Sequence, residues 1–97
     1  MPAMAPEVLD EVAIAEALNG VDWDRDGDEI VKTVQLKDFA GSLAYVNEVG
    51  RLAEARDHHP DISISWNKVV LRLSTHSAGG LTRMDFDLAS EIDRIPA

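Results

Sequence analysis

The sequence predicts one α+β domain in the order α-β-β-α-β-β-α, a four-stranded antiparallel sheet with three helices packed on one face. Three observations lead there. Some stretches repeat apolar residues at three- and four-residue steps, others alternate apolar with polar residues about short turn signals, and 97 residues leave room for a single core. Hairpins imply antiparallel pairing, and a sheet of that kind buries one face beneath helices.

Residues 1–5 hold two methionines, two alanines and a proline, and are expected to fray. Pro6 suits a first helical turn, with Glu7, Asp10 and Glu11 near the positive end of the dipole. Val8, Val12, Ala15 and Leu18 follow at helical spacing, and Asn19-Gly20 supplies the stop. Asp26-Gly27 then signals a hairpin turn before a strand on which Ile30, Val34 and Leu36 share a face, an alternation that Lys32 interrupts.

Asp38 is placed to cap the longest helix, whose predicted apolar stripe is Phe39, Leu43, Val46, Gly50 and Ala53 with Val49 beside it. It ends near Asp57, and Pro60 excludes His59 from helical geometry. Ile62, Ile64 and Trp66 alternate with serines, and Val69, Leu71 and Leu73 alternate again after an expected Asn67-Lys68 turn. Gly79-Gly80 turns the chain, Thr82 can cap, and Met84, Leu88, Ile92 and Ile95 mark the last helix before Pro96.

Composition narrows the function. A formal charge of −9 with no Lys/Arg cluster argues against nucleic acid or an anionic membrane as partner. The absence of cysteine removes disulfides and thiolate chemistry and fits a reducing cytoplasm. No basic leader and no run of eighteen apolar residues is found, so neither secretion nor a membrane span is expected.

All three histidines fall in one third of the chain: His58 and His59 past the long helix, His76 at the end of the last strand. With them stand Glu54, Asp57 and Asp85. Each has a plain reading of its own, Asp85 as the acidic half of a Thr82 capping box, Glu54 as a solvated helix residue, Trp23 and Trp66 as core aromatics. Together they place imidazoles beside carboxylates, which favour the charged ring, fix its tautomer and suit general acid–base work. Zinc is the weaker alternative, because adjacent histidines converge poorly on one ion and no HExxH spacing occurs. No serine or cysteine sits in a nucleophile elbow, so proton transfer is the simpler chemistry.

The combined pattern Glu54-x-x-x-His58-His59-Pro60, five residues to Trp66, nine to His76 and eight to Asp85, resembles the signature of the pterin-4a-carbinolamine dehydratases. The resemblance extends over LKDFAGSLAYVNEVGRLAE before it and GLTRMDFDLASEID after it, and Trp23 falls where that family has an aromatic in its first hairpin. One departure is the loop Ser77-Ala78-Gly79-Gly80, which lacks a cysteine found in some members. The resemblance implies dehydration of 4a-hydroxytetrahydropterin to quinonoid dihydropterin, serving aromatic amino acid hydroxylases, with no metal and no organic cofactor. It also implies a homodimer or homotetramer built through sheet edges and helices.

By the same resemblance, His58 and His76 would act as acid and base in either order. His59 and Glu54 would hold the pterin or tune the rings, Asp85 and Asp57 would orient histidines, and Trp23 would wall the substrate. The rival expectation is a non-enzymatic binding module, since an animal member also serves as a dimerisation cofactor for a homeodomain transcription factor. The geometric expectation is that His58, His59 and His76 line one cleft.

Overall fold

The computed structural model describes residues 6–97, so the expected fraying of residues 1–5 lies outside the described residues. The elements are α1 (Glu11–Leu18), β1 (Asp24–Asp26), β2 (Glu29–Gln35), α2 (Phe39–Arg56), β3 (Asp61–Ser65), β4 (Lys68–Leu73) and α3 (Arg83–Ile92). The sheet runs β1-β2-β4-β3 with every neighbouring pair antiparallel. Ile30, Val34, Val69, Leu71 and Leu73 are buried with Ile14 of α1, Tyr45, Val49 and Ala53 of α2, and Leu88 and Ile92 of α3 in one cluster. The helices therefore cover a single face, as expected. No described helix is long and apolar enough to cross a membrane.

α1 starts at Glu11 rather than Pro6, because Asp10 is the N-cap and accepts a hydrogen bond from the Ala13 amide at 2.8 Å. Residues 6–10 are non-helical, pinned where the Leu9 amide donates to the Leu81 carbonyl at 2.9 Å. The later start changes the inward face. Ile14 is buried, Leu9, Ala17 and Leu18 pack against the core, and the expected stripe residues Val8, Val12 and Ala15 do not join it, Val8 and Val12 standing exposed.

In the first hairpin Asp26 pairs with Glu29, so the two-residue loop is Gly27-Asp28, one position later than the expected turn. Gly27 has φ +62°, a left-handed angle that costs glycine little. Lys32 lies on the same face as Ile30 and Val34, and its side chain is only 13% exposed. Its Nζ is 2.8 Å from Asp93 Oδ1, an oxygen that also accepts from Trp23 Nε1 at 2.9 Å, while the Asp22 amide donates to Asp93 Oδ2 at 2.8 Å. The interrupted alternation is thus a clasp that ties the end of α3 to the first hairpin.

α2 is capped by Asp38, whose Oδ1 accepts from the Gly41 amide at 2.7 Å. Its inward face is Ser42, Tyr45, Val49 and Ala53, rotated from the expected stripe, and Phe39 and Leu43 are 47% and 44% exposed. A polar residue on the inward face explains the difference. Ser42 Oγ donates to the Trp66 carbonyl at 2.7 Å, fixing the start of α2 to the second hairpin.

The second hairpin turns at Trp66-Asn67, with Ser65 opposite Lys68, not at Asn67-Lys68. Asn67 is held beside the start of α2, since its carbonyl accepts from the Leu36 amide at 2.7 Å and its side-chain amide donates to the Leu36 carbonyl at 3.2 Å. The reversal must then fall one residue earlier, which leaves Trp66 at φ +53°. α3 ends at Ile92, so Ile95 packs against the core from beyond the helix.

Two stability predictions follow from the buried polar groups. Replacing Asp93 with alanine strands an indole N–H and leaves a mostly buried ammonium with only its longer contacts to Asp22, and should lower the unfolding free energy by about 3 kcal/mol in urea titrations. Adding Lys32→Met to that variant should recover part of the loss.

The Tyr45 hydroxyl is buried with no hydrogen-bond partner among the described residues. Burial, and to a lesser extent the Asp93 carboxylate, pushes this phenol up to about 12. Because the folded value lies above the unfolded value of about 10, the contribution to stability is complete below pH ~10 and is lost as pH rises toward ~12. Tyr45→Phe should be at least as stable as the wild type at neutral pH and should lack this share of the alkaline loss, read from unfolding curves across that window.

Candidate active site

Three segments meet at the N-terminal end of α3. The first is the exit from α2. Asp57 is its C-cap in the left-handed region at φ +49°, and the His58 amide donates to the Ala53 carbonyl at 3.1 Å. This reversal turns His58 inward, where it is 8% exposed, while His59 stays at the surface before Pro60.

The second segment is the end of β4. The alternation that buries Val69, Leu71 and Leu73 continues to Thr75, which is also buried, and leaves His76 exposed. Thr75 bridges Gly80 and closes the loop 76–79, with Gly79 at φ +81°. The third segment is the capping box of α3, in which the Asp85 side chain accepts from the Thr82 amide at 2.9 Å.

Asp85 joins all three. Its side chain is 0% exposed, Oδ1 lies 2.6 Å from His58 Nε2, and Oδ2 accepts from Thr75 Oγ1 at 2.8 Å as well as from the Thr82 amide. Thr75 has one hydroxyl proton and uses it on Asp85, so the 2.8 Å contact between Thr75 and Thr82 is donated by Thr82. Thr82 Oγ1 in turn accepts from the Met84 amide at 3.2 Å. With Oδ2 occupied as an acceptor, the proton of the short contact lies between Oδ1 and Nε2, and an ionised Asp85 leaves it on the ring.

His58 lines a cleft of ≈ 190 Å³ together with Arg56, Met84 and Asp87. Arg56 is itself held by an ion pair with Glu91 of α3. His59 and His76 are not among the residues lining this cleft, so the expectation of one cleft lined by all three rings is met only by His58. His59 Nε2 lies 2.6 Å from Glu54 Oε2 in an exposed pair. The structure does bring the backbone segments together: His76 follows directly on Thr75, which shares Asp85 with His58. Larger depressions lie elsewhere, one of ≈ 440 Å³ between the first half of α2 and the last residues of the chain, and they contain no histidine.

The other expected site residues are placed as follows. Glu54 holds His59, and Asp85 both caps α3 and holds His58. Asp57 is exposed and acts through its backbone, as the left-handed cap that aims His58. Trp23 is buried and hydrogen-bonded to Asp93, eight residues along from Asp85 and hence about 12 Å away along the axis of α3. That position is in the core. Among the described residues, no three His, Cys, Asp or Glu side chains are grouped as a metal ion would require.

Sequence reasoning gave Thr75 no role. The signal was present in the inward series Val69, Leu71, Leu73, whose next member is Thr75, a polar residue at a core position. Arg56 and Met84 were equally missed, and nothing in the pattern marks them as cleft walls.

The family model for pterin 4 alpha carbinolamine dehydratase matches residues 7–95. A protein of Roseiflexus castenholzii, provisionally named pterin-4-alpha-carbinolamine dehydratase, is 54% identical over 89 residues, covering 91% of this chain and 96% of that protein. One from Nocardia farcinica with the same provisional name is 50% identical over 93 residues, covering 95% and 98%. Among solved structures, the transcriptional coactivator/pterin dehydratase of Brucella melitensis superposes with a TM-score of 0.85 at 30% identity, covering 89% of this chain and 95% of that one. The matched span takes in all seven secondary-structure elements and every histidine, and the chain belongs to the pterin 4 alpha carbinolamine dehydratase family.

Proposed function

We propose that this protein dehydrates 4a-hydroxytetrahydropterin to quinonoid dihydropterin by histidine acid–base catalysis, recycling the pterin of an aromatic amino acid hydroxylase. The observation that carries the reading is the buried pairing of His58 with Asp85 at a cleft, in a chain of this family. The reaction is redox-neutral. The N5 lone pair forms the C4a–N5 double bond as the C4a–O bond breaks, an acid delivers a proton to the departing oxygen, and a base removes the N5 proton. Water is the only other product, and two proton transfers suffice.

In this reading His58 exchanges its proton through Nδ1, while Asp85 fixes the tautomer through Nε2. His76, on the loop that Thr75 anchors, supplies the complementary acid or base. The His59–Glu54 pair meets the pterin at the rim, and Asp57 sets the direction of His58. Trp23 is assigned to the core in place of a wall of the site, because its indole N–H is committed to Asp93. The chemistry calls for neither a metal nor an organic cofactor. A neutral, flat substrate is compatible with a chain of net charge −9 that works in the cytoplasm without binding nucleic acid. A protein-binding role of the coactivator kind is the alternative, and the exposed Phe39 and Leu43 on α2 are the observation in its favour.

Stopped-flow decay of 4a-hydroxytetrahydropterin tests the proposal. Purified protein should accelerate decay above the spontaneous rate, and no acceleration would remove the dehydratase reading. His58→Ala should lower kcat at least ~100-fold with the unfolding curve retained, and His76→Ala should lower it by a comparable factor. Asp85→Asn should lose both activity and stability, since it breaks a charge-assisted contact and the capping box together.

A further inference from the structure

Thr75 stands at the end of the buried series of β4, where an isosteric valine would continue the apolar row and only a hydroxyl brings a proton donor. Its side chain and its backbone serve different segments. The hydroxyl donates to Asp85 Oδ2 at 2.8 Å and receives the Thr82 hydroxyl at 2.8 Å, and Thr82 Oγ1 accepts in turn from the Met84 amide at 3.2 Å. This chain of donors ends on the carboxylate.

An aspartate carboxylate turns easily about its last torsion, and the single capping-box bond from the Thr82 amide to Oδ2 leaves that rotation open. The Thr75 hydroxyl closes it. As a second donor on Oδ2, reaching in from β4 and not from α3 itself, it fixes the carboxylate plane so that Oδ1 faces His58 Nε2 at 2.6 Å. The direction of the imidazole is thus inherited from a hydroxyl that never touches it.

The Thr75 carbonyl accepts from the amides of Ala78 at 3.0 Å, Gly79 at 3.0 Å and Gly80 at 3.4 Å, while the Thr75 amide donates to the Gly80 carbonyl at 3.1 Å. Loop 76–79 is therefore wound around one peptide oxygen. Gly79 permits the winding at φ +81°, and Val8 lies against Gly80 from outside, its Cγ1 3.2 Å from where a β-carbon would stand. His76 is the first residue of that loop, so its backbone is placed by Thr75.

We propose that Thr75 is the positioning residue that holds His58 and His76 in a fixed relation, its hydroxyl acting through Asp85 and its carbonyl through the loop. The inference rests on the dehydratase reading for the reaction these rings perform. In that reaction the departing oxygen is protonated at C4a and a proton leaves the adjacent N5, so acid and base must keep their separation, and one shared anchor supplies it.

Thr75→Val keeps the shape and the backbone and removes only the donor. It should lower kcat about tenfold with KM within about twofold, and Thr75→Ser, which restores the hydroxyl, should recover most of the loss. In NMR spectra of the ring nitrogens, neutral His58 of the wild type should carry its proton on Nε2, whereas Thr75→Val should divide it between both nitrogens and leave His76 unchanged. Gly79→Val, a β-branched residue at a left-handed angle, should unsettle His76 and the His58 tautomer together.

Wild-type kcat in Thr75→Val overturns the inference, and so does a Gly79→Val chain in which His76 shifts while His58 keeps one tautomer. Both the Gly79→Val comparison and the wild-type spectrum stand whether or not Thr75→Val folds, and a wild-type His58 proton on Nδ1 is equally fatal. An inactive wild type removes the dehydratase reading instead, and the ring spectra then still decide the positioning.

Discussion

A fully buried carboxylate is costly unless every lone pair facing the protein is used, and Asp85 meets that condition by joining three separate segments. It closes the first turn of α3, receives the hydroxyl at the end of β4 and meets the imidazole beyond α2. No other residue among those described bridges all three. The position of His58 is therefore a consequence of how the core is capped, and the site and the fold share one set of contacts. The hydrogen-bond chain from the Met84 amide through Thr82 and Thr75 runs in a single direction toward the carboxylate, whose other oxygen meets the imidazole.

Two adjacent histidines take opposite surroundings for a local reason. The left-handed turn at Asp57 reverses the chain just after α2, and Pro60 holds the next residues extended. His58 is driven beneath α3 while His59 faces the solvent beside Glu54. One thus receives a buried, fixed partner and the other an exposed one, a division of labour that two neighbouring rings would not otherwise have.

The element order and the two hairpins were legible because they follow from spacing within each segment. The Thr82–Asp85 box was legible for the same reason, and so was the meeting of the loop after α2 with the end of β4, through the pattern that carries the family resemblance. What could not be read depended on contacts made elsewhere in the chain. Ser42 hid the inward face of α2 because its value there lies in the Trp66 carbonyl, and Asn67 moved the turn because Leu36 holds it. Trp23 drew attention by its place in the sequence, and its hydrogen bond to Asp93, seventy residues on, could not be read from spacing. Whether His59 and His76 join His58 at a substrate is not a property of spacing either, since both rings are exposed and their direction is set by what they meet.

α3 is anchored through a carboxylate at each end, by Asp85 where it begins and by Asp93 where it stops. A rod fixed at both extremities can neither slide lengthwise nor roll about its axis without breaking charged contacts at one end. Any shift of α3 against the sheet therefore costs a carboxylate contact at one end or the other.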